Sequence, residues 1–359
     1  MKVVYKYVIK DFVKYFIPCL AVLVFIYVVI NLFDNLGRFL AKNVLVVDIF
    51  LHYLYLTPSY IVLLIPIATI MAVFFVFGTM TKHKELLALK TSGLNVNRLF
   101  SIIFIIGAFL VVFTFVFQET IGVWAQTQTY EHQEAKIDKR PKRPATRRSN
   151  FFYHGEDSWV YHIRRLDAVR NKMDGVILWQ ISADNKIQRR LDANYGLYDS
   201  IWIFHSVTER KFDVFGNETV MTYAELDMPE LQEKPQDFLR RMKPLGEMNF
   251  LEIDRFVRQK RRAGENVAEE EVELNYRFSY PIITLILLLI TLPLSVVLRK
   301  GGIAIGLGLS VAMAFLYWGL IQSFRAYGVA GVMNPLVALW FPNVLFAVVG
   351  IVLILKVPR

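Results

Sequence analysis

The chain has 359 residues, of which 55% are hydrophobic, 14% aromatic and only 20% charged, with a mean hydropathy of +0.40. Soluble globular chains hold roughly 45 to 50% apolar and about 25% charged residues, so this composition excludes an ordinary water-facing protein. The net charge of +10 is therefore not read first as nucleic-acid binding, because in a membrane chain the placement of Lys and Arg reports orientation.

The N-terminal MKVVYKYVIKDFVKYF leads into an apolar stretch too long for a signal peptide, with no small-residue cleavage site after it, so a retained helix is predicted. Residues 15–33 carry no charge and at 1.5 Å each cross about 30 Å of hydrocarbon. The one cysteine, Cys19, lies in this run, which excludes an intrachain disulfide and a Cys-based metal cluster. A second uncharged run, 49–81, is longer than a span needs and contains His52, Pro58 and Pro66. Its first part is expected at the interface, with the spanning helix starting near Pro58. A third run covers 99–118.

Hydropathy then falls for some 160 residues and returns at 278–298, 301–324 and 336–355. The predicted fold class is a membrane α-helical protein of six transmembrane helices, three plus three, around an inserted β domain. The domains are placed at 1–118, 119–276 and 277–359. With the N-terminus inside, the inner segments hold Lys2, Lys6, Lys10, Lys14, Lys82, Lys84, Lys90, Arg98, Arg299, Lys300, Lys356 and Arg359, against Arg38, Lys42 and Arg325 in the outer short loops. Both termini are thus expected in the cytoplasm and the middle domain on the outer face.

Within the middle domain, short stretches rich in Trp, Tyr, Val and Ile recur between turn signals. They are FFYH at 151, WVYHIRR at 159, GVILWQIS at 175, IQRRLDANY at 187, SIWIFHSVTERKF at 200 and ETVMTYAEL at 218. Asp184-Asn185 and Gly216-Asn217 sit where hairpin turns would fall. Six strands with no intervening helical pattern predict a sandwich or jelly-roll. Their bulky apolar residues would fill its core, or line a groove if it is slightly open. A helix is expected over 249–263, with Asn249 as N-cap, Glu252 at the capping-box position and Gly264 as the stop. The basic run Lys139, Arg140, Lys142, Arg143, Arg147 and Arg148 reads as a solvated loop, with attraction to anionic headgroups as the functional alternative.

Enzyme signatures are missing from the sequence. There is no G-x-x-x-x-G-K-[ST], no HExxH and no G-x-S-x-G, and the six histidines show no i, i+4 spacing. The glycines of GGIAIGLG at 301–308 lie in an apolar span, where Gly302 and Gly306 serve helix packing better than phosphate binding. In the loop TKHKELLALKTSGLNVNRLF, residues 82–91 form a predicted amphipathic helix around Leu86, Leu89 and Lys90, with Gly93 at C′. Two readings stand: a helix lying flat on the membrane surface, or a coupling helix docked in a groove of a separate ATPase, where the lone acid Glu85 would pair with a basic residue.

The three-plus-three layout together with E-L-L-A-L-K-T-S-G at 85–93 resembles the LptF/LptG permease family of the lipopolysaccharide exporter. So do Asp34-Asn35-Leu36, Pro281, the LPLSVVLRKGG stretch, Gly306 and NPLVALWFPNVLFAVVG at 334–350. The start and the Asp34 region lean towards LptG. The resemblance implies a multi-pass inner-membrane permease subunit that pairs with a paralogue and a cytoplasmic ATPase dimer. It would extract lipopolysaccharide from the outer leaflet and pass it to a periplasmic jelly-roll bridge. It implies ATPase coupling through Glu85, Leu86, Leu89, Ser92 and Gly93. Arg38, Lys42 and Arg325, at the outer interface, read either as solvated or snorkelling residues or as contacts to anionic headgroups, and Arg38 best matches where the family places basic residues. The resemblance also implies no catalytic residue, metal or cofactor of the chain's own, ATP being used by the partner. A membrane-anchored β-domain scaffold or sensor is the alternative; Pro58, Pro66, Pro281, Pro293, Pro335 and Pro342 favour helices shaped for a cavity over plain anchors.

Overall fold

The computed structural model describes residues 2–92, 96–139, 147–155, 159–182, 186–213, 217–239, 243–262, 266–297 and 302–356. The chain forms two compact units. One comprises Met1–Arg140, Leu245–Phe250 and Ala268–Arg359, and the other Pro141–Pro244 and Leu251–Val267.

In the first unit, among the described residues, six helices are long and apolar enough to cross a membrane. They are α1 (Lys2–Ala41), α2 (Val46–Lys82), α4 (Val96–Phe117) with its continuation, α7 (Ala268–Val297), α8 (Gly302–Val329) and α9 (Pro335–Lys356). The short α3 (Glu85–Thr91) follows α2. Lys84 takes φ +59° between them, which ends α2 and turns the chain.

Two expectations about helix length are corrected. The second span does not begin near Pro58: α2 is continuous from Val46, with Pro58 and Pro66 inside it. Proline in a helix leaves the carbonyl four residues before it without its N–H donor, and such breaks are tolerated in membrane helices where neighbours supply polar partners; close by Pro66, the Tyr280 hydroxyl of α7 donates to the Leu63 carbonyl at 2.7 Å. Nor does the third helix stop at Gln118. It passes through a π turn (Gln118–Gly122), α5 (Val123–His132) and a second π turn (Gln133–Ile137). The boundaries expected at 119 and 276 therefore fall inside helices, because the end of an apolar run marks the edge of hydrocarbon and not the end of a backbone ladder.

Helices in lipid gain little from apolar burial against each other, so small residues and buried polar groups set their approach. A Cβ added at Gly350 of α9 would stand 2.5 Å from the Leu289 side chain of α7. Asn343 of α9, 2% exposed, accepts from the Tyr317 hydroxyl of α8 and donates to the Ser279 carbonyl of α7 at 3.4 Å. The apolar cluster nearest α3 joins Val8, Phe12, Phe77, Met80, Leu86, Leu99 and Leu292.

The second unit carries β1 (Arg147–His154), β2 (Trp159–Asp167), β3 (Lys172–Ile181), β4 (Ile187–Asp199), β5 (Ile201–Phe212) and β6 (Glu218–Met228), at the places the sequence pattern predicts. They form one antiparallel sheet in the order β1-β2-β3-β4-β5-β6. This corrects the sandwich or jelly-roll topology: among the described residues each strand pairs only with its chain neighbours, so the sheet is a meander without crossovers. Alternate residues Trp159, Tyr161 and Ile163 of β2 turn to a core with Trp202, Phe204 and Phe238. That core is pinned by polar bonds: Tyr161 donates to Glu233 Oε2 at 2.6 Å and the Trp202 indole to the Glu233 carbonyl at 2.7 Å. The turn residues Asp184, Asn185 and Gly216 lie outside the described residues, as do Gly264 and most of the basic run. Helix α6 (Phe250–Arg262) starts one residue after the expected cap Asn249.

Candidate functional site

The two π turns set the chemistry of the first unit. A π turn adds a residue to the helix and shifts its phase, and such turns often mark functional sites. After the second one, Asp138 meets two cations of α1 and its following turn: Arg38 Nη2 lies 2.6 and 2.8 Å from the two carboxylate oxygens, and Lys42 Nζ is hydrogen-bonded to Oδ1. These contacts hold the Asp138 carboxyl well below the ordinary range, near about 2, through the Lys42 bond first and then Arg38. Sequence reasoning named both cations as headgroup ligands and did not see Asp138. Their side chains stay 40% and 38% exposed, so one positive charge in excess of Asp138 still faces outward.

At the first π turn Glu119 enters a larger network. Arg277 of α7, its side chain 3% exposed, donates to Glu119 Oε1 at 2.9 Å, to Glu273 Oε1 at 3.2 Å and to the Leu245 carbonyl at 3.0 Å. Glu119 Oε2 accepts the Phe250 N–H at 2.5 Å. Glu273 Oε2 takes Arg325 of α8 at 2.6 Å, and that guanidinium sits 4.6 Å from the centre of the Tyr276 ring. Arg325, the third predicted headgroup cation, is thus paired with Glu273 while its side chain stays 34% exposed. The apolar runs of α4, α7 and α8 are interrupted here by Gln118, Arg277 and Arg325, so the network lies at one end of these runs.

Beside it lies a cavity of about 280 Å³, lined by Tyr60 and Leu63 of α2, Gln118 of the π turn, Gln126 of α5, and Tyr276 and Arg277 of α7, among others. The Gln118 Oε1 atom is buried without a hydrogen-bond partner.

At the other end of the bundle, α3 divides the predicted coupling residues. Leu86 is 3% exposed and packs into the cluster with Val8 and Phe12, and Leu89 packs against that cluster. Glu85 accepts from the Tyr7 hydroxyl at 3.0 Å. Ser92 is exposed, its hydroxyl on the Leu89 carbonyl at 2.8 Å. Gly93 lies outside the described residues. The face left open is Leu87, 55% exposed, with Ala88. Neither was named from sequence, although Leu87 is the residue that breaks the apolar helical stripe. Gly306 of α8 faces Phe74 of α2, close enough that a Cβ would stand 2.7 Å from the ring, whereas Gly302 opens α8 with its surroundings outside the described residues.

A family model described as lipopolysaccharide export system permease LptF/LptG matches residues 6–356. The chain belongs to the LptF/LptG family. No curated protein matches the sequence. As a member of LptF/LptG, with three apolar helices before the β strands in sequence and three after them, the chain is a transport component and a multi-pass inner-membrane protein.

Proposed function

We propose that the chain is one permease subunit of an ATP-driven lipopolysaccharide exporter, pairing with a paralogue, with a lean towards LptG. Both termini and α3 face the cytoplasm and the β unit faces the periplasm, in keeping with the inward bias of Lys and Arg. The chain supplies no nucleotide site; ATP is used by a cytoplasmic ATPase dimer. The observation that carries this reading is the family match over nearly the whole chain together with the short helix between the second and third spans, which is fastened inward by Leu86 and open outward at Leu87.

In this reading Leu86 and Leu89 hold α3 to the bundle so that movement of a docked ATPase is passed to α1, α2 and α4, whose side chains they touch. Glu85, Ser92 and Gly93 flank the docking face. At the opposite end, the uncompensated charge of the Arg38–Lys42–Asp138 cluster draws anionic headgroups, and Arg325 shapes the bundle beside them. Extracting acyl chains costs about 0.8 kcal/mol for each CH₂ exposed to water, so the route past these cations must stay apolar. The sheet edges β1 and β6 can accept a strand of a periplasmic jelly-roll bridge; β6 is exposed on both faces at Val220 and Met221.

The test is co-purification with the ATPase from membranes. Leu87→Glu and Glu85→Arg are expected to abolish association, and Tyr7→Phe, which removes the internal bond to Glu85 and leaves the carboxylate in place, to preserve it. Association that survives both α3 substitutions would remove the coupling role.

A further inference from the structure

We propose that the cavity beside Arg277 is a binding site for one uncharged, hydroxyl-rich group of the size of a single sugar ring, held at one end of the apolar runs of α4, α7 and α8. Size comes first. About 280 Å³ falls just below the roughly 300–1,000 Å³ of pockets for drug-sized ligands, and at ~30 Å³ per water it has the volume of about nine waters. That is room for one ring and not for a headgroup with its acyl chains.

Charge comes second. The charged residues of the wall, Arg277 and Glu273, satisfy each other, and their remaining bonds go to Glu119, Arg325 and the Leu245 carbonyl. Two guanidinium groups stand against two carboxylates, so a phosphate entering here would have to displace a carboxylate already bonded to Arg277. The wall therefore selects against anions, in contrast to the cluster at Arg38 and Lys42.

The lining supplies what a polyhydroxyl ring needs. Tyr60, Tyr276 and Tyr280 offer aromatic surface, while Ser59, Gln118 and Gln126 offer hydroxyl and amide groups. Tyr280 is fixed by its bond to the Leu63 carbonyl, and Tyr276 lies between the tilted ring of Tyr280 at 5.2 Å and the Arg325 guanidinium. Gln118 lines the cavity, and its Oε1 atom is buried and unpartnered, an acceptor that a turn of the side chain presents to a ligand donor. It stands on the first π turn, where helix geometry is given up to bring Gln118 to the cavity wall. A ligand hydroxyl meets that acceptor, whereas a choline or an acyl chain brings no donor.

The experiment uses the full chain in phosphatidylcholine nanodiscs, with Cys19→Ala and a reporter Ser59→Cys in the cavity wall, read by its rate of labelling with N-ethylmaleimide. Three probes are compared at equal concentration: octyl β-glucoside, octylphosphocholine with the same tail, and methyl β-glucoside without a tail. Octyl β-glucoside is expected to slow labelling about tenfold, equivalent to ~1.4 kcal/mol, and octylphosphocholine less than twofold. Protection by methyl β-glucoside as well would assign the site to free sugars, and protection by the octyl compound alone to glycolipids; both uphold the hydroxyl-rich class. Gln118→Leu, and separately Gln126→Leu, are expected to remove the protection while keeping a normal melting temperature. Equal protection by octylphosphocholine, labelling that no probe slows, or protection that persists in both leucine variants would overturn the assignment. The readout needs neither the ATPase nor export, so it stands apart from the transport reading.

Discussion

Arg277 and Glu119 lie 158 residues apart in sequence and meet at 2.9 Å, with side chains only 3% and 13% exposed. The pair spans α7 and the first π turn, and each partner also grips the segment Leu245–Phe250, Arg277 at the Leu245 carbonyl and Glu119 at the Phe250 N–H. Removing one member of a buried pair leaves the other charge uncompensated, at about 3–5 kcal/mol. Arg277→Leu or Glu119→Leu should therefore lower the thermal midpoint of the purified chain sharply. The double substitution should cost less than the sum of the singles, and additive losses would show that the two side chains act separately.

Asp138 gives a pH prediction. Its folded carboxyl sits near about 2, below the ordinary value of 3.8, because of Lys42 and Arg38. A depressed folded value means that its contribution is complete above the unfolded pKa and is lost as pH falls through the folded one. The difference in thermal midpoint between the wild type and Asp138→Asn should be constant from pH 8 to 5 and shrink below about 4. A difference that changes between pH 8 and 5 would contradict this pairing. Because Arg38 faces this carboxylate, Arg38→Gln is the cleaner probe of headgroup contact than Arg38→Glu, which would set two acids side by side. Loss of lipopolysaccharide export in Arg38→Gln at normal protein level is the expected outcome.

Gly306 tests helix approach. Leucine there would drive its side chain into Phe74, and overpacking costs typically about 1–3 kcal/mol. Gly306→Leu should reduce the amount of folded protein in membranes, and adding Phe74→Ala should restore part of it. Wild-type levels in Gly306→Leu would show that α8 and α2 can separate freely.

In the β unit, Tyr161 is fully buried, and both burial and the neighbouring Glu233 push its hydroxyl well above the usual phenol range. It therefore stays a donor across the physiological range. Tyr161→Phe leaves Glu233 Oε2 without that donor, at about 1–3 kcal/mol. Fluorescence of the buried Trp159 and Trp202 should report unfolding at lower denaturant concentration. An unchanged midpoint would remove the bond from the account of the core.

Strand positions were legible because a half-buried strand alternates its residues, and WVYHI or SIWIF carries that alternation openly. The order of pairing was not, since a meander and a jelly-roll ask the same of each strand. Six apolar runs announced the spans, but α1 and the helix through Ile137 extend beyond the hydrocarbon in sequence that hydropathy does not mark. The site was half legible. Arg38, Lys42 and Arg325 stood out as cations at the ends of apolar runs, while Asp138, Glu119 and Glu273 read as ordinary acids in a polar stretch. What joins them is the phase shift of two π turns, which leaves no periodic signal. In α3 the apolar stripe was visible, yet Leu86 and Leu89 face inward, so the stripe marks the anchor and Leu87 the open face.

The central claim is that this chain moves lipopolysaccharide at the expense of ATP used by a partner. Its most direct measurement is ATP-dependent release of lipopolysaccharide to a periplasmic acceptor from proteoliposomes holding this chain, its paralogue and the ATPase. Release is expected with the wild-type chain and expected to vanish with Leu87→Glu while the ATPase retains its own hydrolysis. Undiminished release with the chain omitted, or with Leu87→Glu in place, would contradict the account.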